Sequence, residues 1–178
     1  MNEALLKLYK QWAGEKANVI TPLPKSGSYR RFFRMKSENH NAIGVFNADK
    51  KENNAYITFT NHFLAQDLRV PELYSWDEKN NVYIMEDLGD ETLFSYVSEN
   101  RNGGDKQKEE LEYYKSALDE LIKFQIHASR GLDYSVCYPR SSFDKRSMMW
   151  DLNYFKYYFL KLTQTPFNEQ KLEMILSH

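Results

Sequence analysis

Tyr83-Ile84-Met85-Glu86-Asp87-Leu88-Gly89-Asp90-Glu91 decides how this chain is read, because the spacing of apolar residues changes type on its two sides. Val82-Tyr83-Ile84-Met85 is a short apolar run of good strand formers, the kind a sheet buries. It runs out into an acidic segment broken by a glycine, and beyond that segment nothing reads as strand. Upstream, residues 19–23, 29–36, 42–46 and 70–76 are also strand-like, with Pro24-Lys25-Ser26-Gly27-Ser28, residues 37–41 and residues 77–81 as polar turns. Two antiparallel hairpins are the economical pairing of the first three strands.

Helical spacing accounts for the rest. Leu5, Leu8 and Trp12, with Gly14 as a stop, predict an opening helix over 2–13. Asp49 followed three residues later by Glu52 is a helix-start signature, and Tyr56, Phe59 and Phe63 give that helix a core face. Downstream, residues 92–98 predict a short helix, and Leu111, Tyr114, Leu118, Leu121 and Phe124 predict the core face of a long one. Between them Asn100-Arg101-Asn102-Gly103-Gly104-Asp105 is an expected flexible loop. Met148, Leu152, Phe155, Phe159 and Leu162 mark another helix, Pro166 stops it, and Asn168 caps a last one. Strands followed by helices predict an α+β protein, with a small five-stranded antiparallel sheet lobe over 1–86, a hinge over 87–90, and the start of a helical lobe over 91–178.

With 178 residues the chain is long enough to bury a core without staples. Lys+Arg 24 against Asp+Glu 25 excludes a surface built for nucleic acid or for a polybasic membrane patch. Cys137 is the single cysteine, so neither an internal disulfide nor a cysteine-rich metal site is available, and the composition is that of a reduced, cytoplasmic protein. No apolar stretch approaches the ~18 residues of a membrane span. Aromatic residues make up 15% of the chain, so a small core is packed with large pieces.

Two stretches could carry chemistry. Residues 25–36 hold Lys25, Arg30, Arg31, Arg34 and Lys36 and no acid, and Ser26-Gly27-Ser28 is a tight turn whose backbone N–H groups could approach a phosphate. Strand alternation puts Tyr29, Arg31, Phe33 and Met35 on one face and Arg30, Phe32 and Arg34 on the other. A basic edge strand defended against pairing fits the same residues. The second stretch is the strand end at Met85 and Glu86. Released backbone there could bind the edge of a planar base between Met85 and Leu88, or the segment could be a solvated turn whose Asp90 and Glu91 complement the next helix dipole. The four histidines, His40, His62, His127 and His178, show no metal-ligand spacing, Cys137 reads as a packed or exposed thiol, and Asp144 reads as a helix cap.

In order, Gly27-Ser28-Tyr29-Arg30-Arg31-Phe32-Phe33-Arg34, Arg69-Val70-Pro71-Glu72 and the run from Tyr83 to Glu91 with Thr92-Leu93 resemble the amino-terminal half of the aminoglycoside phosphotransferase and choline kinase superfamily. Within it they are most similar to the bacterial cell-wall sugar kinases, which phosphorylate N-acetylmuramate or N-acetylglucosamine. Phe143-Asp144 and Trp150-Asp151-Leu152 with Phe155 resemble the helix before the catalytic loop of that group. The resemblance implies a protein-kinase-like fold and ATP-dependent, Mg2+-requiring phosphoryl transfer to a sugar hydroxyl. It implies that Ser26, Gly27, Ser28, Tyr29, Arg30 and Arg31 lie at the phosphates, and that Met85, Glu86 and Leu88 lie at the adenine.

Residues 42–47 have no lysine where most kinases of this fold place one. The cell-wall sugar kinases are similar in lacking it, and Arg30, Arg31 or Lys50 could supply the charge. No His-x-Asp-x-x-x-x-Asn loop and no later metal-binding Asp occurs, so catalytic and metal residues are expected beyond His178, and the chain is expected to be an inactive amino-terminal part whose exposed aromatics pack against the rest. Two other readings fit: a nucleotide-binding regulatory module without catalysis, and a kinase for an aminoglycoside or a choline-like alcohol. An unrelated α+β interaction domain is a third.

Overall fold

A computed structural model of the chain describes residues 2–25, 27–100, 106–163 and 166–177. They form two compact units, Met1–Tyr138 and Pro139–His178. The first unit carries a five-stranded antiparallel sheet, so the α+β expectation holds. Its elements are α1 (Asn2–Ala13), β1 (Val19–Pro22), β2 (Arg31–Lys36), β3 (Asn41–Phe46), α2 (Lys50–Ala65), β4 (Leu73–Asp77), β5 (Val82–Met85), α3 (Leu93–Asn100) and α4 (Lys106–Ile126), followed by a 3-10 turn at Tyr134–Val136.

The strands lie in the order β1-β2-β3-β5-β4, with α2 carrying the chain from β3 past β5 to the edge. The pairing is antiparallel throughout and aligns Arg34 with Ile43, Ile43 with Met85, and Met85 with Leu73. Each central strand is buried on both sides, which is why β3 and β5 read as unbroken apolar runs. On one face Phe33, Met35, Ala42, Val82 and Ile84 meet Leu5, Leu8 and Tyr9 of α1. On the other Ile43, Val45 and Tyr83 are joined by Leu23, Phe32, Tyr56 and Met85. Gly44 faces α1, where a Cβ would stand 2.6 Å from Met35 Sδ and 3.1 Å from Leu5 Cδ2.

The local signals behave as sequence chemistry requires, with instructive exceptions. Gly14 takes φ +73° and donates its N–H to Lys10 O at 3.0 Å, ending α1. Asp49 caps α2 by accepting from the N–H groups of Lys51 and Glu52 at 3.0 and 3.2 Å. The reciprocal half of that cap is missing, because Asn47 Oδ1 takes the Asp49 N–H at 3.1 Å and leaves Glu52 free for another partner. A register shift between Leu73 and Ser75 leaves Tyr74 unpaired and turned toward α1, where it stacks on Trp12 at 4.4 Å.

Strand β2 begins at Arg31 rather than at residue 29, since residues 27–29 bend. Strand β4 begins at Leu73, after Pro71. The largest departure is α4: Leu111, Tyr114, Leu118 and Leu121, expected to face a core, are exposed, and of that series Phe124 is the one partly buried, against Phe63 at 5.3 Å. The helical period holds, but among the described residues of this unit nothing covers that stripe. Of the expected loop at 100–105, residues 101–105 lie outside the described residues.

The second unit holds α5 (Lys145–Phe155), a π-helical turn at Lys156–Leu160, and α6 (Glu169–Ser177). Asp144 caps α5 by accepting from Ser147 N–H at 2.9 Å, and Asn168 Oδ1 accepts from Lys171 N–H at 2.9 Å at the start of α6. Lys156 is the buried residue of the π-helical turn and pairs with Glu173 at 2.7 Å. Trp150, Tyr154, Tyr157 and Tyr158 are exposed, as is most of the apolar line that marked this helix.

Candidate functional site

The face of the sheet that α1 leaves uncovered collects the charged residues. The chain enters β2 through a bend in which Ser28 Oγ accepts from Arg30 N–H at 3.1 Å. From there Arg30 reaches under α2, where its Nη2 pairs with Glu52 Oε1 at 2.9 Å and its guanidinium lies 5.0 Å over the Tyr56 ring. Glu52 Oε2 is held in turn by Asn47 Nδ2 at 2.7 Å, so the carboxylate is aimed from two sides. Tyr56 donates its hydroxyl to Met85 Sδ at 3.1 Å and stacks on Tyr83 at 5.1 Å. A continuous series Glu52, Arg30, Tyr56, Met85 thus runs across the face. The Arg30 side chain is 18% exposed, and its Nε is buried with no hydrogen-bond partner among the described residues. It is an unsatisfied buried donor next to the Glu52 ion pair.

At the end of β5, Glu86 donates its N–H to Glu72 O at 2.8 Å, and its Oε2 accepts from Glu72 N–H at 3.1 Å. Among the described residues, no hydrogen bond uses the Glu86 carbonyl or the Leu88 N–H. Arg34, two positions past Phe32 on the same face, grips the next residues. Its Nε and Nη2 donate to the two oxygens of Asp87 at 2.7 and 2.9 Å, and its Nη1 donates to Asp90 Oδ2 at 2.7 Å. Asp87 Oδ1 also accepts from Gly89 N–H at 3.0 Å, and Gly89 sits at φ +84°. Burial pushes the Asp87 carboxyl up, but the bonds from Arg34 and Gly89 outweigh it and hold the group below the ordinary aspartate value. The Arg34 guanidinium is raised in turn by Asp90 and Asp87.

Of the residues singled out from sequence, Arg30 and Met85 come together through Tyr56, and Glu86 follows directly. Gly27 has open space where a Cβ would be, Tyr29 is 98% exposed, and Leu88 is exposed. Ser26 lies outside the described residues. Arg31 is exposed and turned to the opposite face, its guanidinium 5.7 Å from the Phe33 ring. Lys50 lines a separate cavity of about 480 Å3 between α2 and the β4–β5 turn, together with Asn53, Ile57 and Lys79. Of the three cations considered for the missing β3 lysine, Arg30 is therefore the one paired to α2 on the Met85 face. Asp90 serves Arg34 rather than the next helix, whose start is capped by Thr92 and Ser95 instead.

Sequence reasoning missed Glu52, which it spent on a capping box, and also Tyr56, Arg34 and Asp87 as site neighbours. Alternation did place Arg34 on the face of Arg30, and that was the available signal. Among the described residues, no three His, Cys, Asp or Glu side chains gather as a metal site, and no helix is long and apolar enough to cross a membrane.

No profile of a known protein family matches the chain. Over 128 residues, 70% of its length, it is 25% identical to an N-acetylmuramate/N-acetylglucosamine kinase of Pseudomonas putida. The matched residues make up 35% of that kinase, so the chain spans about a third of the length of the curated relative it resembles.

Proposed function

We propose that this chain is the nucleotide-binding amino-terminal part of an ATP-dependent phosphotransferase with a protein-kinase-like fold, acting on a hydroxyl of a sugar or amino sugar. The observation that carries the reading is Arg30, fixed by Glu52 from α2 on the same sheet face that ends at Met85, followed by the Glu86 carbonyl and Leu88 N–H, which no hydrogen bond uses among the described residues. An antiparallel sheet with a helix inserted between its third and fourth strands supports the fold, and the likeness to an N-acetylmuramate/N-acetylglucosamine kinase supports the substrate class.

In this reading the partly buried Phe32 and Met85 flank the base, over the core of Ile43 and Val45, and the Glu86 carbonyl and Leu88 N–H meet its edge. Arg30 meets the phosphates through its guanidinium, while residues 27 and 28 approach them through backbone N–H groups. Phosphoryl transfer of this kind is mostly positioning and charge stabilisation. The described residues offer no donor set for Mg2+, so no step is assigned to the metal here, and no residue of this face is assigned as the base.

The direct test is titration calorimetry of the 178-residue chain with ATP and with ADP. Saturable binding is expected, and Arg30→Met is expected to weaken it about tenfold or more, the loss of a charge-assisted contact of ~1.5–3 kcal/mol. Absence of saturable binding by either nucleotide at millimolar concentration sinks the proposal.

A further inference from the structure

The Arg34 clamp lies outside the Glu52, Arg30, Tyr56, Met85 series and holds the chain just past Met85. Arg34 and Asp87 are 53 residues apart in sequence, and the pair ties the middle of the sheet to the chain leaving β5. The register explains how. Arg34 stands opposite Ile43, which stands opposite Met85, so the Arg34 side chain crosses over β3 to reach the residues just past Met85. The Asp87 side chain is 5% exposed and that of Arg34 16%, so the fork-to-carboxylate pair is largely shielded and resists the competition from water that weakens a surface ion pair. Asp87 spends the same oxygen on Gly89 N–H, so the clamp also sets the left-handed turn at Gly89. The charged groups facing Arg34 here are Asp87 and Asp90, and it pairs with both.

We propose that Arg34 is a positioning residue: by gripping Asp87 and Asp90 it fixes the backbone of residues 86–89, so that the Glu86 carbonyl and the Leu88 N–H are presented to a nucleotide base. This rests on the nucleotide-binding reading above. A base edge is read by a donor and an acceptor at set spacing, and a backbone free to turn presents them only part of the time, which lowers affinity by that fraction. A clamp acting on the base alone leaves phosphate contacts untouched.

The test measures ATP and inorganic tripolyphosphate binding to the 178-residue chain by calorimetry. Arg34→Met is expected to weaken ATP about tenfold while leaving tripolyphosphate within twofold. Arg34→Lys is expected to restore little, because an ammonium cannot grip a carboxylate through two parallel bonds. Asp87→Asn is expected to shift ATP in the same direction, with the double variant no worse than Arg34→Met alone. A role in stability alone would lower both affinities together with the melting temperature, and an unchanged ratio of ATP to tripolyphosphate affinity in Arg34→Met overturns the proposal. If Arg34→Met does not fold, Asp90→Asn decides the matter: its side chain is 80% exposed, and it is expected to lower the ratio two- to threefold, an unchanged ratio again overturning the idea. A wild-type chain that binds neither ATP nor ADP refutes the nucleotide reading instead.

Discussion

Replacing Gly44 by alanine tests the packing that holds α1 on the sheet. The added methyl would stand 2.6 Å from Met35 Sδ and 3.1 Å from Leu5 Cδ2. Favourable carbon contacts need about 3.5–4.0 Å, so Met35 must retreat by roughly an ångström. It has little room, since Met35 is 0% and Leu5 1% exposed, both enclosed by the α1 face of the sheet. Overpacking of this kind costs about 1–3 kcal/mol. The lost freedom of glycine in the unfolded chain offsets about 0.4–1 kcal/mol, and because Met35 and Leu5 are fully enclosed the cost lies in the upper half of its range, about 2–3 kcal/mol, leaving a net destabilisation of about 1–2.5 kcal/mol. With a urea slope of about 2 kcal/mol/M, the unfolding midpoint is expected to fall by roughly 0.5–1.25 M, followed by circular dichroism.

The cause is isolated by a cycle with Met35→Ala. That change costs about 2–5 kcal/mol by itself, but it opens the space the new methyl needs, so the double variant is expected to be more stable than the sum of the singles by about 1 kcal/mol or more. A Gly44→Ala protein within about 0.5 kcal/mol of wild type, or a cycle that is simply additive, would refute the reasoning.

Two further outcomes follow from the polar groups. Glu15 is held at about 2 by hydrogen bonds from His40 and Ser37, below an ordinary value of 4.5. A depressed folded-state value means its contribution is fully present above about 4.5 and is lost as pH falls toward 2, so wild type should lose its advantage over Glu15→Gln across that window in acid unfolding; a constant difference between the two proteins would contradict the network at the β2–β3 turn. Tyr83 is 1% exposed, burial pushes its phenol up, and its hydroxyl has no partner among the described residues, so Tyr83→Phe should leave stability within about 0.5 kcal/mol of wild type or raise it, whereas a loss above ~1.5 kcal/mol in urea unfolding would mean the hydroxyl is satisfied.

Much of the fold was legible because its signals are local. Gly14 ends α1, Asp49, Asp144 and Asn168 start their helices, and Val82-Tyr83-Ile84-Met85 is a doubly buried strand. Each of these depends on residues within a turn or two of one another. Alternation likewise separated Arg31 from Arg30, Phe32 and Arg34 before any contact was known. Boundaries slipped where turn geometry overrode strand propensity, as in the bend at 27–29.

Glu52 shows where such reading ends. Its position three residues after Asp49 satisfies a capping box, and only the placement of Arg30 and Asn47 beside α2 makes it an ion-pair partner. The exposed stripe on α4 is the same lesson reversed, since periodicity states which residues share a face and says nothing about what covers it. By itself, then, the sequence determined the order of elements, the two-faced sheet and the side on which each basic residue of β2 lies, because these follow from backbone periods of two and 3.6 residues. The tertiary structure decided which charges meet. Arg34 finds Asp87 and Asp90 across gaps of 53 and 56 residues because strand register carries β3 and β5 alongside β2, and register is a property of the assembled sheet.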